Sequence, residues 1–201
     1  AEMLRSARLQ KENFQAQLEN LKDQVNPHFL FNSLNVLVSL IPQDAERATE
    51  FTRKLSELYR SFLDNSAEQL IPLRKELEII DAYIYLLKTR FGESVQFDMQ
   101  IASEVKELQL PPGSLQVLLE NAIKHNGSTR KKPLLIEIFS EEDVLVVRNN
   151  LQPRLEQLES TNTGLKNIES RYSFLSDRKP EFTKTETDFI AKLPLLKVEN
   201  L

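Results

Sequence analysis

Apolar residues recur at helical spacing through the first third of the chain. Phe14, Leu18, Leu21 and Val25 step by four, three and four, and the stripe resumes at Leu30, Leu34, Leu37 and Ile41, as on an amphipathic helix. The pattern predicts one long helix over residues 3–40, kinked at Pro27, which removes a backbone donor. Pro42-Gln43-Asp44 reads as a turn with a helix start. A second helix follows over 44–64, with Phe51, Leu55, Leu58 and Phe62 on one side. Two such helices cannot bury both stripes by themselves. A second copy of the hairpin would cover them in a four-helix bundle, giving a homodimer. The alternative cover is the C-terminal part of the same chain.

The period changes after Ser66. Pro72 opens a helix to about residue 91, with Leu73, Leu77, Ile80, Ile84 and Leu87 on one side and Gly92 at its end. Residues 95–101 alternate apolar and polar side chains, as a half-buried strand does. Pro111-Pro112 precede a helix to about His125, closed by Asn126-Gly127. Residues 134–139 and 144–147 read as paired strands joined by Glu141-Glu142-Asp143. Residues 150–163 read as a loop, 165–175 as a helix, and 181–187 with 189–193 as a final hairpin. This mixture predicts an α/β sandwich, with helices on one face of a mostly antiparallel sheet. The predicted class is α+β: a dimerising helical hairpin over 1–66, then a sandwich domain over 67–201.

Composition narrows the chemistry. With 40% hydrophobic and 28% charged residues the chain is an ordinary globular one rather than a disordered one. Its net charge of -4 and the lack of a basic stripe argue against direct nucleic-acid binding. The absence of cysteine excludes disulfides, thiolate metal sites and cysteine nucleophiles. No apolar run approaches the roughly 20 residues that span a bilayer, so any membrane attachment is expected only through a segment upstream of Ala1.

The chain has two histidines. His28 stands in the string Gln24-Val25-Asn26-Pro27-His28-Phe29-Leu30-Phe31-Asn32-Ser33-Leu34-Asn35. On a helix, positions 28, 32 and 35 project from nearly one side, so His28, Asn32 and Asn35 form a polar line on an apolar helix. With an ordinary pKa of about 6.5, imidazole is mostly neutral and nucleophilic at physiological pH, and the Asn32 amide can fix its tautomer. Helical context alone describes a surface histidine satisfied by polar neighbours. The surrounding string changes that reading. Residues 26–35 resemble, almost letter for letter, the phospho-acceptor box of LytS-type sensor histidine kinases. The resemblance implies that His28 receives the γ-phosphoryl group of ATP in a dimer. Many other histidine kinases carry an acid directly after the histidine, whereas Phe29 follows here.

The second signal is Leu118-Leu119-Glu120-Asn121-Ala122-Ile123-Lys124-His125-Asn126. Asn121, Lys124 and His125 share a helix face. An amide oxygen suits Mg²⁺, and Lys124 and His125 can donate to phosphates. The plain alternative is a polar outer helix face. This segment resembles the N-box of GHKL, or Bergerat-fold, ATPases, which implies Mg²⁺ on Asn121 and phosphate on Lys124. ATP-hydrolysing members carry a catalytic acid one turn earlier, where this chain has Val117, with Glu120 as the nearest alternative acid. After 145–148, Asn149 takes the place of the family's adenine-binding aspartate in a stretch without glycine. Its amide oxygen can accept from adenine without charge assistance. Thr161-Asn162-Thr163-Gly164-Leu165-Lys166-Asn167-Ile168 resembles the family's Gly-x-Gly-Leu-x-Asn box, with Asn162 replacing the first glycine. Asn162, Gly164, Leu165 and Asn167 thereby join the implied ATP site, at a helix start that suits phosphate, and residues 150–163 become its lid.

The resemblance covers about residues 18–195. It implies a membrane-anchored sensor's cytoplasmic kinase core, using ATP and Mg²⁺, forming a homodimer and handing phosphate to a response regulator aspartate. The alternatives are a pseudokinase scaffold with weakened ATP binding, suggested by the missing glycines; an ATP-hydrolysing relative, opposed by Val117; and a coiled-coil module, which leaves the second half unexplained.

Overall fold

Residues 27–65, 68–153 and 163–197 are described in the structure, a computed structural model. The chain divides into two units, Ala1–Ser66 and Ala67–Leu201.

In the first unit, α1 (Pro27–Leu40) packs on α2 (Ala45–Asp64) across a tight turn. Asp44 is extended at φ -157° and its side chain accepts the Arg47 amide at 2.9 Å, a cap worth about 1 kcal/mol. Ala48, Phe51, Leu55 and Leu58 form the buried stripe of α2. The α1 stripe is rotated from the expected one. Phe29 and Ser33 are buried, while Leu34 and Ile41 face outward with Phe31 and Val38. Apolar residues flank the polar line of α1 on both sides, so spacing alone could not select the side that meets α2. The expected helix before residue 27, its Phe14–Val25 stripe and the kink it would make at Pro27 lie outside the described residues.

The second unit is α+β, as expected. β1 (Ile71–Pro72) runs directly into α3 (Leu73–Phe91). The first free amides of α3 donate to loop carbonyls, Leu73 N to Leu108 O at 2.8 Å and Arg74 N to Lys106 O at 2.9 Å. Gly92, at φ 56°, ends the helix in a backbone region closed to most side chains. β2 (Val95–Gln100) follows, then β3 (Gln109–Leu110), which pairs with β1. Then come α4 (Ser114–His125), β4 (Leu134–Glu141), β5 (Val144–Asn150), α5 (Thr163–Leu175), β6 (Glu181–Lys184) and β7 (Asp188–Pro194).

The large sheet has the order β2-β4-β5-β7-β6. It is antiparallel except for β2 and β4, which run parallel because the chain crosses over through α4 between them. One sheet face carries the buried Val95, Ile136, Ile138, Leu145, Val147, Ala191 and Leu193. Helices α3 and α4 add Leu73, Ile80, Leu87, Leu115, Leu118 and Leu119 to the core. Each such side chain is worth roughly 1.5–3 kcal/mol when fully buried. The opposite face is polar: Arg148 grips Glu137 with two hydrogen bonds of 2.7 and 2.9 Å, holding that carboxyl below its usual range.

Candidate functional site

Two groups of side chains carry the chemistry, one in each unit. In the first, His28 sits exposed in the opening turn of α1. Asn32, one turn later, places Nδ2 3.2 Å from His28 Nδ1 and 3.1 Å from Nε2. The helix repeat forces this approach, since residues four apart stack on one face. An amide N–H donated to one nitrogen leaves the proton on the other and so selects the tautomer. Asn35, expected on the same line, is exposed without a hydrogen bond to the ring.

In the second unit, α4 projects Asn121 half-buried and Lys124 exposed. Neither side chain has a hydrogen-bond or ion-pair partner among the described residues. His125 is half-buried at the helix end. Glu120 is engaged locally, its Oε1 accepting Gln116 Nε2 at 2.8 Å. Gly164 lies in the first turn of α5, tight against α4: a Cβ at this position would stand 2.9 Å from Val117 Cγ1. Val117, Asn121 and Lys124 follow one face of α4 at four- and three-residue steps. The glycine therefore lets the start of α5 close onto that face. Leu165 is half-buried and Asn167 exposed on the same helix. Asn162 and residues 154–162 of the expected lid lie outside the described residues.

Asn149 and Asn150 extend β5 rather than opening the loop. Asn149 is buried on the core face of the sheet, opposite Ile136 and Phe189, and its Nδ2 donates to Asn150 O at 2.8 Å. The donor half of the amide is used within the chain, and an adenine amino group needs the acceptor half. Just beyond, Asn126 clamps the end of α4 to the chain leaving β5. Its Nδ2 donates to Ala122 O at 2.8 Å, its Oδ1 accepts Gln152 N at 2.7 Å, and Gly127 N donates to Gln152 O at 2.7 Å.

The donor set fits a magnesium nucleotide. Asn121 offers a neutral oxygen, Lys124 a cation, and α5 a helix start relieved of a Cβ. Among the described residues no cluster of three or more acidic or histidine side chains could hold a metal by itself. A metal here would rely on Asn121 together with phosphate oxygens, as Mg²⁺ commonly does.

One residue of this unit was missed in the sequence. Glu76 is fully buried in α3, and its oxygens accept Gly113 N at 3.0 Å and Leu115 N at 2.9 Å, at the start of α4. Burial raises its carboxyl to about 7, against the opposing pull of those two amides and of Arg171. The signal was present: Glu76 falls on the face that also carries Leu73, Ile80, Tyr83 and Leu87.

The histidine kinase family model matches residues 16–95. The sensor protein LytS of Bacillus cereus is 36% identical over 186 residues, covering 84% of this chain and 31% of that protein. LytS of Staphylococcus haemolyticus is 37% identical over 139 residues, covering 67% of this chain and 24% of that protein. The chain thus spans about a quarter to a third of the length of these relatives. Among solved structures, the catalytic domain of histidine kinase ThkA matches with a TM-score of 0.42 and 15% identity, over 63% of this chain and 96% of that one. The cytoplasmic segment of histidine kinase QseC matches with a TM-score of 0.44 and 21% identity, over 76% and 94%.

Proposed function

Since this chain belongs to the LytS-type histidine kinases, we propose that it is the catalytic core of a sensor kinase that phosphorylates His28 from ATP. The observation that carries the reading is the exposed His28 ring with the Asn32 amide within hydrogen-bond distance of its nitrogens, inside the 26–35 box. In this reaction a neutral ring nitrogen of His28 forms a bond to the γ-phosphorus. The bond from that phosphorus to the bridging oxygen breaks, and ADP leaves with its electron pair. The remaining ring proton passes to solvent, which reaches His28 freely.

In the second unit, Asn149 would meet adenine, Lys124 and the start of α5 at Gly164 the phosphates, and Asn121 the metal. Asn162, Leu165, Asn167 and His125 complete this proposed site. Bound Mg²⁺ would neutralise charge on the phosphate oxygens. Val117, at the position of the hydrolases' acid, leaves no carboxylate there to activate water, which suits transfer to a side chain. Glu120, whose Oε1 accepts Gln116 Nε2, is the acid on this helix proposed to lie beside the phosphates.

The chain acts as a homodimer in this proposal. Phe31, Leu34 and Val38 on α1, with Ile41 in the turn after it, form an exposed apolar stripe, with exposures of 66%, 41%, 69% and 57%, and a second hairpin would cover it. The phosphoryl group then passes to an aspartate on a separate response regulator. No helix among the described residues is long and apolar enough to cross a membrane. The proposed setting is the cytoplasmic end of a membrane-anchored sensor.

Incubation with γ-labelled ATP and Mg²⁺, beside His28→Gln, tests the reading. Acid-labile, alkali-stable label on the parent and none on the variant is expected. A parent that neither binds nucleotide nor takes label would point instead to a dimeric scaffold.

A further inference from the structure

The core of the second unit contains a carboxylate that the phosphotransfer scheme leaves without a role. Glu76 is fully buried among apolar side chains of α3, where a charge is costly unless something specific holds it. What holds it is the start of α4: both oxygens accept backbone amides, from Gly113 and Leu115, that the helix itself cannot satisfy. A cap of this kind normally comes from a residue next to the helix. Here it comes from a different helix, 37 and 39 positions away in sequence.

A third element joins at the same point. Arg171, on the exposed side of α5, donates through Nη1 to Pro112 O at 2.7 Å, directly before the capped turn, and its charge acts on Glu76. Tyr172, beside it, is buried and feels the Glu76 charge, while its hydroxyl donates to Pro194 O at 3.0 Å. Arg171 and Arg178 are the cations that act on Glu76 and Tyr172 respectively. Asn121, Lys124 and Gly164, proposed to touch the phosphates and metal, leave from the two helices fastened here. Asn121 and Lys124 lie two to three turns along α4, and Gly164 begins α5.

We propose that Glu76 is a positioning residue of the nucleotide site, joining α3 to the first turn of α4 and, with Arg171, to α5, so that Asn121, Lys124 and Gly164 stand in register around the phosphates. This rests on the nucleotide reading of the second unit. The shape of the group explains the choice of residue. A carboxylate offers acceptors on both oxygens, whereas a glutamine amide presents an NH₂ to one of the two N–H groups and loses that bond.

The test compares the parent chain with Glu76→Gln and with Arg171→Gln, an exposed change that spares the core. Amide hydrogen exchange without nucleotide reads the joint itself. ADP affinity with and without Mg²⁺ reads its effect on the site. In Glu76→Gln, protection at Gly113 and Leu115 should fall at least tenfold while β4 and β5 amides keep theirs. The gain in ADP affinity on adding Mg²⁺, an α4 property through Asn121, should shrink about tenfold, and Mg²⁺-free affinity should fall less, through Lys124 and the start of α5. Arg171→Gln should lose part of the same Mg²⁺ gain, and Arg171→Lys should recover some of it. Unchanged protection at Gly113 and Leu115 would overturn the proposal. So would lost protection with an intact Mg²⁺ gain, which would make Glu76 a stability residue only. If Glu76→Gln also loses β4 and β5 protection, Arg171→Gln decides alone: an intact Mg²⁺ gain there overturns the proposal. A parent that binds no ADP would instead sink the nucleotide reading, while the exchange data would still report the joint.

Discussion

Replacing Glu76 by Gln should change how the stability of the second unit depends on pH. The ordinary carboxyl value is 4.5 and burial raises Glu76 to about 7. Between those values the unfolded chain gives up the proton while the folded one keeps it. The stabilisation linked to this proton is therefore complete below pH 4.5 and is lost as pH rises through 7. Each pH unit between the two values is worth about 1.4 kcal/mol, so the full change is about 3 kcal/mol, most of it between pH 5 and 8. Glutamine has no proton to lose. The stability of Glu76→Gln relative to the parent should accordingly improve by that amount across this range, whatever its offset at pH 5. Urea denaturation at steps from pH 5 to 8, followed by exchange at the β4 and β5 amides, isolates the second unit. A flat difference across the range would refute the reasoning by showing an ordinary carboxyl value. A variant that loses relative stability as pH rises would show that the two amides and Arg171 outweigh desolvation.

Gly164→Ala should cost about 1–3 kcal/mol through the clash with Val117 Cγ1 and weaken nucleotide binding. Adding Val117→Ala should restore much of both, as a double-mutant cycle in denaturant and by titration would show. Phe31→Glu combined with Val38→Glu should convert the proposed dimer to monomer in sedimentation, because both side chains lie on the exposed α1 stripe. Leu58→Ala, at a fully buried position of α2, should cost about 2–5 kcal/mol by urea denaturation.

The sequence by itself determined the elements and most of their order. Period-three-and-four spacing gave α2 and α3, Asp44 gave the start of α2, Pro111-Pro112 and Asn126-Gly127 bounded α4, alternation gave β2, and the acidic turn 141–143 paired β4 with β5, because these signals are local and depend on the pitch of the backbone. The 26–35 box also placed Asn32 against His28, since a helix leaves residues four apart no other relation. Contacts between distant segments were decided by tertiary structure. The buried side of α1 could not be read from apolar residues that lie on either side of its polar line, and only packing on α2 chose Phe29 and Ser33 for burial. The parallel pairing of β2 with β4 came from the crossover through α4. The need for glycine at 164 came from a Val117 methyl 47 residues earlier in sequence. Glu76 shows the difference most plainly. On paper it is a charge set on the apolar face of a helix, and its proposed role exists only because the start of α4 brings two unsatisfied amides to its oxygens inside the core. Local spacing fixes what a segment becomes. Which buried polar groups must find each other is settled only when the segments pack.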